Sequence, residues 1–506
     1  MSTAPPEKPR LTEGWGPELM DTAMAERTGP LVRRLFSRPM SLYDLAHGIM
    51  LLERGIIPEA AGRQILAALL DMHPTDPAGT PLDPHIGDVL SVREQMLVDR
   101  LGADTGGRIH TGRSRGETYN AVLPRLIERE LLLSLLEAEL DLTASLLRLA
   151  KEHTETVMPG YSHVQPAQPT TLGHYLLSFA FPILRNLERG LQAYARTNQS
   201  PAGAGIFAGS AYPIDRARLA ELLGFDGVLA NTRDAVWSED HTLDLVLVAN
   251  QTMTNISRLA QDLELWSTYE FRMVALADRH SSSSSIMPQK RNPYALEYLR
   301  GLTGTLHGSL MTALSQLKAP SEELDLMIFQ PRLFASVEQT ARAAVLMARV
   351  IDGLEIFKHR MAALSEAGFS QATDLADQLS IRFGLAFRTT HRVVGTLVRL
   401  ADERGIQPTN LTPDLVEEAA MEVIGRPLGV DSAILREVLD TRRLVAARTL
   451  LGGPAPAPML VQLRKAEELR DAGVGAVGQR RRAIAAAEEA LFARAQTLAS
   501  GAPLGV

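Results

Sequence analysis

Apolar residues through the middle of this chain return in alternating steps of four and three. Leu245, Ala249, Thr252, Ile256, Leu259, Leu263 and Trp266 fall on one helical face. Leu132, Leu136, Leu140, Thr143, Leu147 and Ala150 fall on another. Between Val228 and Met287 there is neither glycine nor proline, which favours unbroken helix over strands and turns. Near-heptad spacing of this kind suits long helices packed almost antiparallel. Long helices are also predicted over 171–196, with Pro182 a kink site, over 294–317 and over 333–359. Gly301, Gly304 and Gly308 either weaken the second of these or mark close helix contacts. Alternating β-branched residues are scarce everywhere. The pattern therefore predicts an all-α protein built on a central bundle of about five long helices.

Shorter helices are expected on either side. Toward the N-terminus these are 44–54 and 58–71, with a Pro/Gly/Asp-rich loop over 72–88 after them. From about Gly368 short helices alternate with proline breaks at Pro408, Pro413 and Pro454 to Pro458. The expected units are an N-terminal helical domain 1–115, the long-helix bundle 116–367 and a small helical C-terminal domain 368–506.

At 506 residues the chain is too long for one core. A net charge of −7 argues against affinity for nucleic acid or anionic membrane. The absence of cysteine excludes disulfides, thiolate metal sites and a cysteine nucleophile, and fits a reducing cytoplasm. Leu131 to Ala150, the longest apolar-rich stretch, is interrupted by Glu137, Glu139, Asp141 and Arg148 and does not read as a membrane span. Residues 1–14 carry prolines and charges but no apolar core of a signal peptide. Apolar faces on helices this long exceed what one chain can cover, so burial against other copies is expected.

Three segments carry candidate chemistry. His110-Thr111-Gly112-Arg113-Ser114-Arg115 places two arginines around a serine just before a predicted helix start, where free N–H groups and the helix dipole favour an anion. An arginine there offers a bidentate fork to a carboxylate. Gly160 to Pro169 sets His163 in a rigid turn rich in proline and glutamine, and histidine can donate or accept a proton near neutral pH. Ser281 to Ser285 run into Ile286-Met287-Pro288-Gln289-Lys290-Arg291-Asn292-Pro293. A closable loop with a hydroxyl base, backbone N–H groups and a fixed cation suits removal of a weakly acidic proton beside a carboxylate. Glu297 comes within the first helical turns after it, where it would reach a histidine.

Together these segments resemble the fumarase/aspartase superfamily and, within it, the argininosuccinate lyase branch. The serine-loop signature G-S-S-x-M-P-x-K-x-N-P is matched by Ser283 to Pro293 except that its first glycine is serine here. His110 to Arg115 has the form associated with the branch, and Gly160 to Pro169 resembles its histidine segment with Ser162 in place of threonine. The resemblance implies a three-domain helical fold and a homotetramer whose active sites each draw on three subunits. It implies no metal and no organic cofactor, and cleavage of a C–N bond in an N-substituted aspartate to give fumarate and an amine. By position it makes Ser284 the base that takes the Cβ proton. Lys290, Asn292, Arg115 and Ser114 would hold the resulting dianion, with Ser162 lending a hydroxyl to a carboxylate. His163, oriented by Glu297, would assist the leaving amine. Arg113, Ser285, Met287 and Gln165 belong to the same motifs and count as substrate contacts.

Departures from the branch concentrate on the amine side. After Arg115, where relatives carry Asn-Asp-Gln, stand Gly116-Glu117-Thr118. Positions that supply Tyr, Gln and Lys to the arginine portion hold Glu323, Ile328 and Pro331. Gly87-Asp88-Val89-Leu90 lacks the histidine usual there, and Arg33 and Ser37 replace a serine and an aspartate. The expectation is therefore a different amine, with Arg33 and Arg34 meeting an added carboxylate and Glu323 an ammonium. Ethylenediamine-N,N′-disuccinate is such a substrate. Argininosuccinate, or a catalytically retired structural role, are the alternatives.

Overall fold

The computed structural model of the protein describes residues 25–74, 78–83, 85–318 and 325–503. Its N-terminal part packs α1 (Pro30–Glu53), α2 (Glu59–Asp71) and α3 (Val89–Leu101) together. Helix α1 begins well before the expected Asp44 and runs through Pro39. Burial of Val32, Leu35, Phe36 and Met40 outweighs the hydrogen bond that an interior proline removes. Asp88 caps α3 by accepting from Ser91 N at 3.0 Å.

Five long helices form the centre: α4 (Leu123–Glu152), α5 (Leu172–Thr197), α6 (Asp240–Trp266), α7 (Tyr294–Leu317) and α8 (Asp325–Asp352). Every residue of the two apolar faces read from the sequence is buried. Helix α4 buries nearly its whole circumference, Leu133, Leu135, Leu142 and Leu146 included, because α5, α8 and the C-terminal helix surround it. Helix α8 stops at Asp352, short of the expected 359, because Gly353 ends it and Glu355–Ile356 then pair with Val274–Ala275. Gly301, Gly304 and Gly308 on α7 meet nothing within 4 Å, so they mark no close helix contact inside the protomer. Tyr294, Tyr298, Met311 and Leu314 on the same helix are exposed. No described helix is long and apolar enough to cross a membrane.

The expected C-terminal unit divides in two. Helices α9 (Ala372–Phe383), α10 (Phe387–Glu403), α11 (Pro413–Ile424) and α12 (Ser432–Leu439) close a separate core around Leu379, Leu397, Val416 and Leu435. The 44-residue α13 (Pro456–Ala499) instead returns to the main core, packing on α1, α2, α4 and α5. Its small residues allow this: a Cβ on Gly473 would lie 2.4 Å from Leu187 Cδ2.

Candidate active site

The 110–117 segment is built around a buried ionic network. Asp44 of α1 accepts from Arg93 Nε at 2.6 Å and from Arg113 Nη1 at 2.7 Å, and all three side chains are almost fully enclosed. Burial pushes the Asp44 carboxyl up, but the Arg113 and Arg93 guanidiniums outweigh it and hold its pKa below the usual value. His47 packs beside them, and burial followed by the Arg113 cation lowers its pKa to about 3. Its imidazole is therefore neutral, with Nε2–H donating to Thr111 O at 2.9 Å.

Arg113, which the sequence reading counted as a substrate contact, is enclosed in the protomer and paired with Asp44 and Glu94. Two residues on, Arg115 is half-exposed, its Nη2 donating to Ser91 Oγ at 2.7 Å and its Nε lying 3.3 Å from Asp88. Ser114 caps the helix start, its Oγ accepting from Glu117 N at 3.1 Å. A π-helical turn over 118–122 then feeds α4.

His163 sits at the tip of a hairpin between β1 (Val157–Ser162) and β2 (Gln165–Thr171). The rigid turn expected here is the tip of this hairpin. His163 at φ 54° and Val164 at φ 61° form a two-residue connection with both centres left-handed. Such values strain a β-branched valine and hold the imidazole out into solvent beside exposed Ser162 and Gln165. Just behind the tip Tyr161 packs on Phe271, ring centroids 5.9 Å apart, in the turn that leads toward the serine loop.

That loop is pinned only at its root, where β3 (Ser282–Ser283) pairs with β4 (Arg291–Asn292) and Asn292 Nδ2 donates to Ser282 Oγ at 3.3 Å. Between them Ser284 Oγ accepts backbone N–H groups from Ile286 at 3.3 Å and Met287 at 3.1 Å. Ser285, Met287 and Lys290 are exposed, and Glu297 stands exposed in the first turn of α7. No hydrogen bond or ion pair among the described residues joins any two of the three segments.

Comparison with known proteins gives the family. Residues 67–308 match the lyase family, and 369–446 match the argininosuccinate lyase C-terminal family. Argininosuccinate lyase of Methanoculleus marisnigri is 40% identical over 438 residues, 86% of this chain and 88% of that protein. The same enzyme of Methanococcoides burtonii is 40% identical over 83% of this chain and 84% of its own. A crystal structure of EDDS lyase in complex with formate superposes with a TM-score of 0.87 at 30% identity, covering 97% of both chains. The chain belongs to the fumarase/aspartase superfamily, in its argininosuccinate lyase branch. It is a carbon–nitrogen lyase.

On the amine side of this lyase the expected cations are engaged elsewhere. Arg34 forms a bidentate pair with Glu338 of α8 at 2.8 and 2.6 Å, which leaves it no fork for a leaving-group carboxylate. Arg33 Nε donates to Ala78 O at 2.8 Å. Glu323 lies outside the described residues. Pro331 is buried inside α8.

The sequence reading also missed Glu117. Its buried carboxylate accepts from Tyr43 OH at 2.8 Å, from Gly203 N at 2.5 Å and from Gly205 N at 2.9 Å. Burial raises its pKa against these hydrogen bonds. A carboxylate two residues beyond Arg115 reads as solvated in sequence. Only the glycines 86 and 88 positions away reveal what it holds.

Proposed function

We propose that this lyase reversibly eliminates fumarate from an N-substituted aspartate, with Ser284 as the base at Cβ. The observation that carries the chemistry is the pair of N–H groups already aimed at Ser284 Oγ. An unassisted serine hydroxyl is far too weak an acid to supply alkoxide. Donors fixed in place before proton transfer lower that cost, because they need not reorganise as charge develops. Closing the loop would bring the exposed Lys290 ammonium to the same charge. The dianion left after proton removal needs cations on its carboxylate, the part assigned to Lys290, Asn292, Arg115 and Ser114. Ser162, Ser285, Met287 and Gln165 would line that end. His163, with Glu297 orienting it, would deliver a proton to the departing nitrogen directly or through water. The three segments are held by separate elements of one protomer, which supports a homotetramer whose sites are shared between copies.

The leaving amine is the finer part of the reading. Buried Pro331 removes the charged donor expected for a guanidinium substrate, and Gly116 offers no side-chain amide. This supports a diamine-bearing aspartate, with ethylenediamine-N,N′-disuccinate giving fumarate and N-(2-aminoethyl)aspartate. Sequence identity of 40% to argininosuccinate lyases favours arginine as the second reading. Purified protein incubated with fumarate and either ethylenediamine or arginine separates them. Fumarate absorbance is expected to fall with the diamine; loss with arginine alone would establish the second reading. No loss with either, and no release from the matching adducts, would leave a retired structural relative.

A further inference from the structure

Beside Arg115 lies a loop that neither the motifs nor the mechanism above uses. Residues 203–212 are folded onto the anion segment, touching Glu117 and Gly116. Gly203 at φ 80°, Gly205 at φ 63° and Gly209 at φ 79° take left-handed turns that side-chain-bearing residues rarely adopt. Gly203 N and Gly205 N both donate to the buried Glu117 carboxylate, and Gly209 N donates to Ala204 O at 2.9 Å. Thr232 Oγ1 donates to Phe207 O at 2.8 Å, and Ala204 is enclosed against Ala235 and Val236. The inner face of the loop is thus fixed by a carboxylate, a hydroxyl and a small apolar cluster.

Its outer face shows the opposite character. Ile206, Phe207 and Tyr212 are all exposed. Ile206 lies over Gly116: a Cβ at position 116 would stand 2.4 Å from Ile206 Cδ1. The glycine and the isoleucine therefore share one space, immediately after the guanidinium that faces the substrate carboxylate in the proposed reading. No polar side chain reaches out from position 116, and an aliphatic one covers it.

We infer that Ile206 is a specificity-determining wall of the leaving-amine subsite, one that favours amines whose first carbons are aliphatic. The inference rests on the fumarate-eliminating reading for which end of the substrate lies there. Glu117 is the positioning residue that holds the wall, acting through the two glycine amides. Methylene groups attached to the substrate nitrogen would leave water against Ile206, each buried one strengthening binding about threefold.

The test separates this wall from the chemistry. In a Ser284→Ala background, which binds without turning over, affinities for N-methyl-, N-ethyl- and N-butylaspartate are measured by calorimetry. The N-butyl compound, with three further methylenes, is expected to bind about thirtyfold more tightly than the N-methyl compound. In the Ser284→Ala/Ile206→Ala double variant that gain should shrink to under about twofold, with N-methylaspartate little changed. An equal gain in both proteins, equal weakening of all three ligands, or a change in assembly mass with Ile206→Ala would overturn the inference. Turnover of the parent protein is measured separately. If it releases fumarate from neither the ethylenediamine adduct nor argininosuccinate while the binding series still depends on Ile206, the proposed function falls, and Ile206 stands as an aliphatic wall without the leaving-amine assignment.

Discussion

The 110–117 segment and the serine loop both carry a short motif that announces an anion, yet they are built in opposite ways. The first is bolted to the core by Asp44, Arg93, Arg113 and Glu117, every one of them buried. The second hangs on a two-residue ladder and one serine-centred turn, with most of its side chains in solvent. A cradle for a fixed carboxylate gains from rigidity, since orientation is settled before the substrate arrives. A base that must be covered while it is charged gains from a segment able to move over it.

The comparison breaks most readily at the two extremes. Ser284→Ala should lower elimination by about 10³-fold or more with thermal midpoint unchanged, because nothing in the core depends on it. Turnover within about tenfold of the parent would end its assignment as base. Asp44→Ala should do the reverse in kind, leaving buried Arg93 without a carboxylate and Arg113 with Glu94 alone, and costing about 3–5 kcal/mol in denaturant titration. A loss under about 1 kcal/mol would mean that water or Glu94 takes its place.

Smaller effects sharpen the contrast. Burial raises the Glu139 carboxyl, deep between α4, α5 and α6, to about 7 despite hydrogen bonds from Thr252 Oγ1 at 2.6 Å and Asn186 Nδ2 at 2.7 Å. The folded state therefore holds a proton that the unfolded chain releases near 4.5. This group's contribution is greatest below about 4.5 and declines as pH rises toward 7. Glu139→Gln should remove that decline, so its midpoint should gain on the parent between pH 5 and pH 8. A constant difference across that range would contradict the assignment. At the hairpin tip, Val164→Gly should relieve left-handed strain and raise stability by up to about 1 kcal/mol. It should also lower turnover, by freeing His163. Higher stability with full turnover would mean that the tip geometry has no part in catalysis.

Helical periodicity was legible because it repeats: each residue of the Leu245 to Trp266 face is buried as its spacing requires. The serine loop was legible because its chemistry is local, compressed into a dozen positions. What could not be read were pairings set by distant parts of the chain. Arg113 and Arg115 flank one serine and look equivalent in sequence. Only Asp44, 69 residues earlier, makes the first a buried strut. Arg34 seemed available until α8 brought Glu338 to it from 304 residues away. Prolines misled in the same manner, since Pro39 and Pro331 sit inside helices whose burial overrides local propensity.

The last long helix has a consequence for biosynthesis. Met459, Leu463, Val477, Ile484, Leu491 and Leu498 complete a core begun by residues such as Phe36 and Leu66. A nascent polypeptide from which this helix has not yet emerged must therefore leave a greasy stripe along the earliest helices uncovered, and that stripe closes only once the helix is clear of the ribosome. Until then the emerging chain is a natural client for holdase chaperones, and truncation from the carboxyl end should yield aggregates instead of a smaller enzyme.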